Sequence, residues 1–153
     1  MRTRGNILGA GVLLAVFLSS VCPAGEPPSL VGEWAVVAME RDGKAMGEIN
    51  YAGMRWTFAN DSLKLHPGRS TPAGLAGRPP LECSYVVDDT QSPRRLDWTC
   101  GEGEKKQTIK AIYELKNDVL RICFVRYGKV RPEGFGTKDT DSVVYRLKRE
   151  KAK

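Results

Sequence analysis

The feature that most constrains this chain is a set of short alternating runs that pair into hairpins with every apolar residue on one face. Met54-Arg55-Trp56-Thr57-Phe58 alternates, as does Leu63-Lys64-Leu65, and Asn60-Asp61 between them suits a tight turn. A two-residue loop pairs Phe58 with Leu63 and Trp56 with Leu65, so all four side chains share a face. Around Asn117-Asp118 the pairs Leu115/Leu120, Tyr113/Ile122 and Ala111/Phe124 are likewise apolar, while Lys110, Glu114, Lys116 and Arg121 point away. A slip of one residue in either hairpin would turn its apolar set into water. Leu81 to Val87 and Leu96 to Cys100 form a third pair across a turn rich in Asp, Ser and Pro. Leu30 to Met39 supplies a first strand and Ser142 to Lys148 a last one.

About eight antiparallel strands result, with no long amphipathic helix. Gly43 to Gly53 has room for one helical turn or a loop. Gly and Pro crowd Pro67 to Pro80 and Gly128 to Gly136, which read as two long surface loops. There is no repeat and no linker, so residues 25–153 read as a single domain. Consecutive hairpins predict an all-β fold, a sandwich or an up-and-down barrel, and we take the barrel.

The first residues set the expected compartment. Arg2 and Arg4 precede a short uncharged apolar run, Ile7 to Leu18, and a small-residue cleavage region ending at Ala24. Residues 1–24 therefore read as a secretory signal peptide, with an apolar run well short of the roughly 20 residues that span a bilayer. Removing them takes two arginines and no acid, so the full-chain charge of +6 falls to +4. An exported domain, periplasmic or extracellular, is expected, with no transmembrane segment in the mature chain. The alternative is a membrane-anchored lipoprotein cleaved before Cys22, which the Val21 ahead of it fits poorly. Basic residues cluster only in the tail from Arg146 to Lys153, which reads as a solvated strand end that also blunts a sheet edge, against a contact with anionic lipid, polysaccharide or nucleic acid; no nucleic-acid partner is expected.

Extending the third hairpin pairs Val87 with Leu96, Tyr85 with Trp98 and Cys83 with Cys100. Direct opposition and an oxidising compartment predict a Cys83–Cys100 disulfide, against two free thiols. Cys123 falls on the face opposite Ile122 and Phe124 and has no evident partner in the mature chain.

Catalytic patterns are missing. His66 is the only histidine, which removes His-based metal sites and His pairs, and no sequence pattern supports a thiol dyad with Cys123. No Cys-x-x-Cys, phosphate loop or His-Glu-x-x-His is present, Gly101-Glu102-Gly103 is a turn, and Asp139-Thr140-Asp141 is too sparse for calcium. The expectation is no enzyme, no cofactor and no metal. Trp34, Trp56, Phe58, Tyr85, Trp98, Tyr113 and Phe124 fall on inward faces. They are ordinary core by default, and equally the one plausible pocket lining in a barrel of this size.

Gly32-Glu33-Trp34 on the first strand resembles the Gly-x-Trp signature of lipocalins and other calycin barrels. The resemblance implies a Trp that plugs one end of the barrel beneath a late-strand Arg, for which Arg146 is the nearest match. Together with Glu40-Arg41-Asp42-Gly43, Gly53 to Phe58, Ile112 to Leu115, Leu120 to Cys123 and Arg131-Pro132-x-x-Phe135, it resembles a family of small exported lipocalin-like domains of uncharacterised function, abundant in planctomycete bacteria. That likeness covers nearly all of the mature chain and implies a fold and a compartment, with no catalytic residues to carry over. The Cys83/Cys100 pair and the loop from Gly68 to Pro80 look particular to this chain.

The expected function is that of a non-catalytic module binding a small apolar ligand inside the barrel. Trp56, Phe58, Tyr85, Trp98, Tyr113 and Phe124 would line the site, with polar groups from the Gly43–Gly53 and Gly128–Gly136 loops at its mouth. The alternative is an envelope protein-interaction or structural module with a filled barrel, using its loops and basic tail.

Overall fold

A computed structural model describes residues 29–69, 78–126, 130–138 and 140–151. The leader with Cys22, the middle of the 67–80 loop and the last two residues of the tail lie outside the described residues. The strands are β1 (Gly32–Arg41), β2 (Lys44–Ala45), β3 (Arg55–Phe58), β4 (Ser62–His66), β5 (Leu81–Asp88), β6 (Arg94–Cys100), β7 (Gln107–Lys116), β8 (Val119–Val125) and β9 (Ser142–Arg149). From β3 onward each strand pairs antiparallel with the next, β1 pairs with β3, and β1 pairs again with β9 to close the sheet. The result is an eight-strand antiparallel barrel, lipocalin-like in form, with β2 as an extra ribbon on β1.

The hairpin registers are those the alternation requires. Phe58 faces Leu63 and Trp56 faces Leu65; Leu115, Tyr113 and Ala111 face Leu120, Ile122 and Phe124; Val87, Tyr85 and Cys83 face Leu96, Trp98 and Cys100. Asn117 and Asp118 both adopt positive φ, 50° and 57°, the type I′ geometry whose twist matches the strands it joins. Asp42 and Gly43, at 54° and 71°, do the same for the β1–β2 hairpin, so the 43–53 segment begins with two residues of strand as well as holding a helical turn. Between Gly43 and Gly53 the helical turn is a short 3₁₀ segment, Glu48–Asn50.

Each strand buries one face. Trp34, Trp56, Phe58, Leu63, Leu96, Trp98, Tyr113, Leu120, Ile122 and Leu147 form the buried interior. Each contributes about 1.5–3 kcal/mol through loss of water contact. A smaller cluster lies outside the wall: Ile112, Cys123 and Val144, on adjacent strands, are covered by Phe135. The 128–136 segment is therefore not a free surface loop in its described part. Arg131 grips Asp97 through both carboxylate oxygens (2.7 and 2.9 Å) and donates to the Ala111 carbonyl (2.6 Å). Thr137, buried, donates to Glu40 (2.6 Å), and residues 130–138 lie as a strap on the outer wall.

Candidate functional site

The two ends of the barrel differ. One end carries the starts of β1 and β6, the β3–β4 turn and the end of β9. Trp34 fills it, fully buried, and its indole Nε1 donates to the Leu30 carbonyl (2.8 Å). The guanidinium of Arg149 lies 4.2 Å over the Trp34 ring. It donates to the carbonyls of Val31 (2.7 Å) and Ser29 (2.8 Å), and its Nε donates to Asp118 (3.1 Å). Gly32 lies beneath it with φ +136°, and a Cβ there would sit 2.8 Å from Arg149 Nη1. The residue over Trp34 is thus Arg149 and not Arg146. Arg146 lies opposite Ala38 and Arg121 on the outer face, where the alternation that turns Leu147 inward directs it. Tyr85 and Tyr113 belong to this closed end. Tyr85 Oη donates to the Ala59 carbonyl (2.7 Å), and Tyr113 Oη makes a short hydrogen bond to Asp89. Burial and the Asp89 carboxylate push the Tyr113 phenol far above its ordinary range, so it stays a donor.

The other end is open. A hollow of about 620 Å³ enters the barrel between β3–β4 and β6–β9. Its floor and walls are Trp56, Trp98, Phe124 and Tyr145, with Met54, Leu65, Ile109 and Leu81; His66, Pro67 and the 78–80 segment form its rim. The four rings touch in a cycle. Trp56–Trp98 (5.4 Å), Trp98–Phe124 (5.3 Å) and Trp56–Tyr145 (5.9 Å) meet edge to face, and Phe124–Tyr145 (5.8 Å) is tilted. Such contacts set each ring's angle and hold the wall in one shape before any ligand arrives.

Of the residues expected to line one pocket, Trp56, Trp98 and Phe124 do meet in the hollow. Phe58 is buried below it, packed edge to face with Tyr85 (5.1 Å) in the filled part of the barrel. Tyr85 and Tyr113 border a separate shallow depression by Leu30 and Asp89. The site opens to solvent at one mouth and is not sealed at both. Tyr145 and Met54 belong to the lining and were not on the expected list. Tyr145 follows from the period-2 pattern of β9, in which Val143, Tyr145 and Leu147 share a face. The Gly43–Gly53 segment packs on the core through Tyr51 and contributes none of the described lining, and the strap lies on the outer wall and likewise contributes none.

His66 ends β4, partly exposed, with its Nε2 3.0 Å from Thr57 Oγ1. No three His, Cys, Asp or Glu side chains cluster as metal ligands among the described residues. Cys83 and Cys100 form a disulfide that joins β5 to β6 near the open mouth, and Cys123 is free and buried. Among the described residues no helix is long and apolar enough to cross a membrane. Comparison of the chain with protein-family models, curated proteins and solved structures finds no match.

Proposed function

We propose that the protein is an exported, non-catalytic module that takes a small, largely apolar molecule into the hollow at the open mouth. The observation that carries this reading is the aromatic wall of Trp56, Trp98, Phe124 and Tyr145 around about 620 Å³ of open volume. A packed interior normally leaves few voids larger than a water molecule, so a hollow of this size in an apolar wall is a place for something else. A ligand hiding about 200 Å² of apolar surface there would gain about 5 kcal/mol from the transfer. Export is supported by the charged and apolar leader and by the disulfide. Kinship with the lipocalin-like family is supported by the closed end, where Gly32, Trp34 and Arg149 form the plug that the Gly-x-Trp resemblance implies.

Titration with the neutral apolar fluorophore N-phenyl-1-naphthylamine tests the reading. Binding in the micromolar range is expected, and Ile109→Trp, which fills the hollow from β7, should weaken it at least tenfold in a protein that still unfolds cooperatively. No binding, or equal binding by both proteins, would remove the hollow as the site. Native mass spectrometry of protein from its own host should then show a retained small molecule. The competing reading, an interaction module, draws on the filled lower barrel and the exposed basic side chains of Arg146 and Lys148. It gains if envelope proteins are recovered by the whole chain and lost when the tail beyond Leu147 is removed.

A further inference from the structure

On the outside of the barrel the strap and the β6–β7 sheet enclose a cleft of about 600 Å³, which shares no lining residue with the hollow. The alternation that turns Leu96, Trp98, Ile109 and Ala111 inward directs Arg95, Asp97 and Lys110 outward. Arg95, Lys110 and Ile112 line the cleft from the sheet, and Arg131, Pro132 and Glu133 line it from the strap.

Opposite charges at directly opposed outward positions normally satisfy one another. Lys64 and Glu82, opposed across β4 and β5, do so at 2.8 Å. In the cleft the same arrangement fails twice. Lys110 is directly opposite Asp97, but the strap's Arg131 has taken both oxygens of that carboxylate, at 2.7 and 2.9 Å. Arg95 is directly opposite Asp88, whose Oδ1 instead accepts from the backbone N–H (3.1 Å) and hydroxyl (2.5 Å) of Thr90. Neither Lys110 nor Arg95 forms an ion pair among the described residues. The two are diagonal neighbours, since Arg95 faces Ile112 and Lys110 lies two residues before it. Diagonal positions stand about 7–8 Å apart, within joint reach of long side chains. Arg131 is held in place by Asp97 and by the Ala111 carbonyl (2.6 Å), so a third cation is fixed before anything binds. Glu133, exposed at the rim, is the one carboxylate in the described lining.

We infer that this cleft is a binding site for a small organic oxyanion, its phosphate or carboxylate group between Arg95 and Lys110 and its carbon body against Ile112 and Pro132. Both groups share the chemistry required, offering oxygens to a planar guanidinium fork and to an ammonium. The site lies outside the barrel and stands whether or not the hollow is filled.

The test uses the full chain and hydrophilic probes. Glycerol 3-phosphate, succinate, inorganic phosphate and glycerol are titrated by calorimetry, with the backbone amides of β6, β7 and the strap followed by nuclear magnetic resonance. Glycerol 3-phosphate or succinate should bind with a Kd of about 1 mM or tighter, and the tighter of the two identifies the group. Lys110→Gln and Arg95→Gln should each weaken it about tenfold, the loss of one charge-assisted contact. Glu133→Gln should tighten it about twofold by removing a repelling charge, a gain that damage to the fold would not produce. All three variants should bind N-phenyl-1-naphthylamine as the wild type does, which separates this site from the hollow. Binding of glycerol as tight as that of the anions would overturn the charge recognition. Inorganic phosphate binding more tightly than both organic anions would overturn the contact with a carbon body. Absence of anion binding, or binding unchanged in both cation variants, would overturn the site.

Discussion

The two mouths of the barrel draw on the same kind of residue, aromatic side chains on the inner face of one sheet, and differ in what meets their polar tips. At the closed end Trp34, Tyr85 and Tyr113 each place an N–H or O–H on an acceptor supplied by the chain. Arg149 spreads over Trp34 and ties the 29–31 segment to the last strand. At the open end Trp56, Trp98, Phe124 and Tyr145 support one another ring against ring around the hollow. An aromatic residue on an inward face is part of a plug where the chain packs over it and accepts its hydrogen bond, and part of a wall where ring meets ring beside open volume.

That contrast breaks first on stability. Trp34→Ala removes a fully buried ring, its hydrogen bond and the floor beneath Arg149, and should cost about 3–5 kcal/mol. Ile109→Ala, in a wall that already faces a void, should cost less than about 2 kcal/mol. Urea denaturation of both variants decides it. Equal losses would mean that the open end is packed as tightly as the closed one.

The disulfide sharpens the comparison, because it staples the end that lacks an arginine latch. Cys83 and Cys100 are directly opposed across β5 and β6 and are separated by 17 residues in the chain. Closing a loop of that length removes unfolded-chain entropy worth about 3 kcal/mol. The Cys83→Ala/Cys100→Ala double variant should lose about that much, read from denaturation midpoints in non-reducing buffer. Non-reducing peptide mapping of the wild type should show these two linked and Cys123 free. A link from Cys123 to either one would contradict the β5–β6 register.

Gly32 tests the latch itself. Its φ of +136° is strained for any L side chain, and a Cβ would displace the Arg149 guanidinium from the Trp34 ring. Gly32→Ala should cost about 1–3 kcal/mol. Combined with Arg149→Ala the losses should fall short of their sum, since both act on one contact. Strict additivity would show that backbone strain, and not the arginine, makes glycine necessary there.

Much of this fold was legible in the chain because hairpin register is a local property. The pairs Phe58/Leu63, Tyr113/Ile122 and Cys83/Cys100 follow from alternation and turn length alone, and each is present. The β2 ribbon was equally local, since Asp42-Gly43 is a strong hairpin signal, but two residues of strand leave no alternation to notice. What could not be read was which inward aromatic belongs to which end. That depends on barrel closure through β1 and β9, a contact between the first and last strands whose bulge at Val36/Ala38 no local pattern announces. For the same reason Arg149, and not Arg146, covers Trp34. The strap over Ile112, Cys123 and Val144 was hidden because Gly- and Pro-rich composition reports turns and says nothing about where a segment lies down.

The smallest expected effect concerns Cys123, which the strap encloses on the outside of the wall. Its Sγ donates to the Gly134 carbonyl (3.4 Å), and burial pushes its pKa from an ordinary 9 up to about 11. The folded state therefore holds the thiol proton more tightly than the unfolded state does. Below about pH 9 both states keep the proton and the group contributes no pH dependence. Between about pH 9 and 11 the unfolded thiol ionises first, and stability falls as pH rises. At pH 10 the loss should be about 1 kcal/mol relative to pH 8. Because other groups also titrate there, the measure is the difference between wild type and Cys123→Ala in urea midpoints at the two pH values. In the same protein at pH 8 a thiol reagent should label Cys123 only after denaturant is added. Fast labelling of the folded chain would show that the strap opens readily, and that the outer cluster is held far less firmly than the plugged end.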